Sequence, residues 1–126
     1  GLLSSLGERR RVYDEMCQHF LRMSETTGTL WEKNEQGSCC SCCHGLASIA
    51  AVYLLRDVLG VRQVDPVRKT ISFVPDAAIP LDRCAADLPL PDGLSAHLGW
   101  RRDGGKLATD VKLPAGWNLA APQVCP

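Results

Sequence analysis

At 126 residues the chain can form one domain or two small ones. Its 14 basic and 14 acidic side chains cancel, so charge gives no reason to expect nucleic acid or an anionic membrane as a partner. A hydrophobic content of 45% is globular, while eight prolines and eleven glycines argue against an all-helical protein. No apolar run reaches the ~18 residues of a membrane span. Leu46 to Leu59 comes closest, and Arg56 and Asp57 interrupt it.

The first third reads as helix. Tyr13, Met16, Cys17, Phe20 and Met23 recur at three- and four-residue spacing, with Arg9, Arg10, Asp14 and Arg22 elsewhere on the wheel. The helix should start between Ser5 and Glu8 and fade by Ser24, ahead of Thr26, Thr27 and Gly28. Residues 25–40 then form a polar loop. A second helix is expected from Ser41, a good N-cap, to Gly60, a good C-terminal stop. Its middle, Leu46 to Leu55, is apolar almost all round, so it should be buried on most sides.

After Asp65 the composition changes. Lys69 to Val74 reads as a β-branched strand, and Asp76 to Pro91 as a Pro/Asp/Ala-rich connection. Leu94 to Arg101 and Lys106 to Leu113 flank Asp103-Gly104-Gly105, a strong hairpin signal. Trp117 to Ala120 offers a last short strand. Four strands at most make a small antiparallel sandwich or part of one. Trp100 and Trp117 are read as core of that region.

Seven cysteines leave at least one without a partner in the chain. Cys39, Cys40, Cys42 and Cys43 lie within five residues, unlike a secreted scaffold that spreads cysteines to staple distant loops. Reduced thiols are the simpler reading. Two interleaved C-x-x-C spacings resemble one zinc knuckle, but tetrahedral zinc usually draws on two. No metal and no cofactor are expected.

The chemistry concentrates at Thr26-Thr27-Gly28-Thr29-Leu30-Trp31-Glu32, with His44 twelve residues beyond Glu32. A carboxylate beside an indole, with an imidazole nearby, suits the binding and cleavage of a sugar. It is half of a hydrolytic site, because an acid partner is also needed. The competing readings are ordinary ones: a solvated loop glutamate, a core tryptophan and a hydrogen-bonding histidine at a helix start.

Thr-Gly-Thr-Leu-Trp-Glu, then Cys-His-Gly-Leu-Ala-Ser, then Tyr-Leu-Leu-Arg-Asp-Val-Leu-Gly-Val resembles the C-terminal part of α-L-rhamnosidase-like six-hairpin glycosidases, glycoside hydrolase family 78 and relatives. The match is specific over residues 26–61 and looser over 94–119. The resemblance implies an α+β fold, with the last helical hairpin of an (α/α)6 barrel over residues 1–64 and a small antiparallel β-sandwich over 65–126. It also implies an inverting hydrolase with a carbohydrate substrate, Glu32 as general base, His44 as a sugar contact and Trp31 as a pocket wall. The general acid falls in an earlier part of the family's barrel, so that missing N-terminal part becomes a required partner. The 126 residues alone should then hydrolyse no glycoside. Two other readings compete: a non-catalytic carbohydrate-binding or barrel-capping fragment, and a cysteine-rich zinc or redox module.

Overall fold

A computed structural model of the protein describes residues 2–31 and 49–121. The chain divides into two compact units, Gly1–Leu54 and Leu55–Pro126. Glu32, His44, Ser41 and the clustered cysteines, singled out above, lie outside the described residues.

The first unit opens with a single turn, α1 (Leu2–Ser5), followed by α2 (Arg9–Met16), a π-helical turn at Cys17–Leu21 and α3 (Arg22–Thr27). The residues joining α2, the π turn and α3 keep right-handed helical angles, so the run is continuous. Val12, Met16 and Met23 form its buried side, while Tyr13, Cys17 and Phe20 are half-buried. Spacings of four and seven keep the buried three on one stripe. Arg10 and Asp14, on the opposite face, pair at 2.9 Å, and His19 faces Glu15 at 3.2 Å beside the buried stripe. Gly28 stops the run. It takes a left-handed φ of 72° and donates its N–H to the Ser24 carbonyl at 2.8 Å, a conformation a side chain would strain. Further along the chain comes α4 (Ile49–Tyr53).

The second unit begins within a π-helical turn, Leu54–Leu59, that ends at Gly60 with φ 105°. Two three-stranded sheets follow. The first has the order β1 (Val61–Asp65), β2 (Thr70–Phe73), β6 (Asn118–Leu119). Its β1–β2 pair is antiparallel and its β2–β6 pair parallel. The second is an antiparallel meander of β3 (Arg83–Pro89), β4 (Ser95–Asp103) and β5 (Lys106–Lys112). Gly104 and Gly105, both at positive φ, make the β4–β5 turn that Asp103-Gly104-Gly105 foretold.

Alternation sorts the second sheet into two faces. Leu88, Ala96, Leu98 and Trp100 are buried on one, and the Trp100 indole donates to the Leu59 carbonyl at 3.1 Å. Arg102 lies on the same face and donates to the carbonyls of Ala77, Ile79 and Leu81 at 2.6–3.1 Å, pinning the connection that leads into β3. Ile71 and Ile79 are fully buried, and Trp117 is buried as well. Trp100 and Trp117 are therefore core, as their position in the β region implied.

The expected architecture is corrected at three points. No part of a helical-hairpin barrel is present among the described residues, which hold helical segments and six strands in two small sheets. The expected all-antiparallel sandwich gives way to two separate sheets, one of them carrying a parallel pair. Ile49, Val52 and Leu54 are each about half exposed, where burial on most sides was expected of that segment. An apolar composition shows what a helix can bury. It does not supply the neighbours that would bury it.

Candidate functional site

Two places in the described residues could do chemistry. The first is the helix exit that leads to Glu32. Thr27 lies in the last turn of α3, and its hydroxyl is within reach of the Met23 carbonyl at 3.2 Å and the Thr29 hydroxyl at 2.9 Å. The Trp31 indole donates to Thr27 Oγ1 at 2.7 Å, and the Trp31 backbone N–H points at the Met23 sulfur at 3.5 Å. Trp31 is 3% exposed, so its ring belongs to the packed side of the first unit. The turn at Gly28 folds the chain back, and Trp31 anchors it against the helix it has just left. Among the sequence-predicted site residues, Trp31 is thus the one whose surroundings are described.

The second place is the outward face of the β3–β4–β5 sheet, which sequence reasoning missed. Register puts Asp87 opposite His97, Ala85 opposite Gly99, and Arg83 opposite Arg101 across β3–β4. Across β4–β5 it puts Asp110 opposite Gly99 and Ala108 opposite Arg101. Small residues in the middle and long ones around them leave a depression of about 710 Å³. Gly99 keeps that middle low, since a Cβ at that position would sit 3.0 Å from the Ala85 Cβ and crowd it. His97 Nδ1 lies 2.8 Å from Asp87 Oδ1, and because a carboxylate only accepts, the ring N–H is on Nδ1. Nε2 faces Asp110 Oδ2 at 3.8 Å, so the ring lies between two carboxylates. At the other end stand two guanidinium groups, Arg83 and Arg101, both exposed. The signal was available: once β3 is recognised, alternation alone puts these residues on one face.

A buried charged cluster in the unit is structural. Asp57 is fully buried, with Arg56 at 3.0 Å and Arg62 at 3.5 Å. Arg62 is the extra residue of a bulge between Val61 and Gln63, and it also donates to the carbonyls of Arg56 and Val74 at 2.6 and 3.0 Å. Cys17 and Cys84 carry free thiols, and burial pushes the Cys84 thiol up, which makes it a poor nucleophile. Among the described residues there is no cluster of three or more His, Cys, Asp or Glu able to hold a metal, and no helix long and apolar enough to cross a membrane.

Comparison with protein-family models, curated proteins and solved structures gives no match to this chain.

Proposed function

We propose that the chain is part of an inverting glycoside hydrolase related to the α-L-rhamnosidases, with Glu32 as its general base. His44 touches the sugar, the buried Trp31 fixes the chain just before Glu32, and the general acid comes from outside these 126 residues. In such a reaction the acid protonates the departing oxygen while Glu32 takes a proton from the attacking water across the ring, the two carboxyl groups ~6.5–9.5 Å apart. No cofactor takes part in this scheme.

The observation that carries the reading is the anchoring of Trp31. A base must be held where the water will be, and freedom in the residue before it would cost positioning. Trp31 has little freedom: it is buried and tied by ring and backbone to Thr27 and Met23. The hydrogen-bonding parts of the Thr-Gly-Thr-Leu-Trp motif thus have a common task, which is to fix the chain immediately before the carboxylate. That Thr27 serves Trp31 and Thr29 at once explains why the motif reads as a unit rather than as a lone Trp-Glu pair.

The test is turnover of an aryl α-L-rhamnoside by the full polypeptide that carries this segment. Glu32→Gln keeps shape and hydrogen bonding but cannot accept the proton, and the expected loss is ~10²–10⁴-fold in kcat with a smaller change in KM. Unchanged turnover would remove Glu32 from the role of base.

A further inference from the structure

We propose that the outward face of the β3–β4–β5 sheet is a binding site for a carboxylate-bearing oligosaccharide, with the acid group held by Arg83 and Arg101. The carboxylate half of this inference stands on the sheet alone, and the saccharide half rests on the glycosidase reading above.

Arg83 and Arg101 are cross-strand partners. Like charges directly opposite one another on a sheet destabilise it. Among the described residues neither guanidinium has an ion pair or hydrogen bond of its own, and both line the depression. A carboxylate offers two oxygens with four lone-pair directions, and a guanidinium fork matches them two at a time. One carboxylate between the two forks would cancel the repulsion and use donors that otherwise serve only water.

The opposite end of the depression has the reverse character. The Asp87 and Asp110 carboxylates flank the His97 imidazole there at 2.8 and 3.8 Å, and Asp110 is two-thirds exposed. An exposed carboxylate with two acceptor oxygens suits a ligand with neighbouring O–H donors, which a sugar ring provides and a simple carboxylic acid does not. Gly99 and Ala85 keep the floor between the ends low, so a ring can lie flat across it. Arg101 lies four residue steps along the strand from His97, about 13 Å at the usual rise. That span is longer than a single sugar ring, so the ligand has more than one.

The test is calorimetric titration of the full chain with trigalacturonate, with maltotriose as a neutral match and tricarballylate as a polycarboxylate without hydroxyl-bearing rings. Trigalacturonate should bind, and both others should bind at least about tenfold more weakly. Arg83→Gln and Arg101→Gln should each lower trigalacturonate affinity about tenfold or more, and Asp110→Asn should lower it less. Ala108→Leu raises the floor without touching a charge and should also weaken binding. Because Arg83 and Arg101 are exposed, their variants should melt with the parent chain, which separates lost contact from lost fold. Equal binding of maltotriose, or full affinity in both arginine variants, overturns the proposal. Tricarballylate binding as well as trigalacturonate overturns its saccharide half. Glu32→Gln should leave this titration unchanged, so loss of the base role and loss of this site give different results.

Discussion

Asp57 and Asp110 are both aspartates beside nitrogen bases in the same unit, and their surroundings give them opposite work. Asp57 is fully buried, and its partners Arg56 and Arg62 are themselves mostly covered. Asp110 is two-thirds exposed, and the imidazole it faces is one-third exposed. A buried charge must be answered in place, because water cannot reach it. An exposed one is answered by water and can exchange that water for a ligand. Charge type says little about role here, and solvent access says most of it.

The largest effect should come from breaking the buried group. Asp57→Asn leaves Arg62 without its countercharge in the interior, a change that typically costs about 3–5 kcal/mol. Arg62→Gln should cost a similar amount, since it also removes donors from the carbonyls of Arg56 and Val74. Urea denaturation of the full chain measures both. A cost below about 1 kcal/mol for either would mean that the buried group is not what holds β1 to the turn before it.

Gly60 comes next. It joins the π-helical turn to β1 at φ 105°, and a Cβ there would fall 2.7 Å from the backbone nitrogen of Pro75. Gly60→Ala should therefore cost about 1–3 kcal/mol from backbone strain, with the close approach adding to it. Wild-type stability in that variant would show that the turn can reopen without loss. Trp100→Phe is smaller. It keeps most of the buried ring but leaves the Leu59 carbonyl without its donor, at a cost of about 1–2 kcal/mol in the same measurement.

These sites also show what the sequence could reveal. The helix through Met23 was legible because its apolar spacing is strong, and so were the Gly60 stop and the Asp103-Gly104-Gly105 hairpin. β3 was not. Arg83-Cys84-Ala85-Ala86-Asp87-Leu88-Pro89 holds no β-branched residue, and strand propensity argues against it. It is a strand because all seven residues pair with β4, a tertiary cause that local composition cannot announce. Without β3 the outward face has no first strand, so nothing in the sequence ties Asp87 to His97 or Arg83 to Arg101. β1 was hidden by the polar Arg62 and Gln63, which a bulge accommodates. The Trp31 anchor was half legible: the motif was noticed, but Thr27 as the residue that holds the indole was not. The six-hairpin fold failed because it was carried by resemblance, and the described helices do not assemble into it.

The smallest effect sharpens the comparison most. Arg101 and Arg62 are the same residue type in one unit, but Arg101 faces Arg83 across the strands with no ion pair or hydrogen bond to its guanidinium among the described residues, whereas Arg62 is 19% exposed and fully engaged. Arg101→Gln should change stability by no more than about 0.5 kcal/mol, as surface substitutions do. The sign is expected to be a gain, because the substitution removes a like-charge cross-strand contact. Salt should erase that gain: the screening length falls from ~10 Å at 0.1 M to ~3 Å at 1 M, so repulsion between exposed guanidiniums weakens. Urea denaturation at 0.1 M and 1 M sodium chloride would show a difference between variant and parent that shrinks as salt rises. A loss above about 1 kcal/mol, indifferent to salt, would mean that Arg101 holds the sheet as Arg62 holds the buried aspartate. The arginine pair would then be structure, and the outward face would lose the cation that makes it a site.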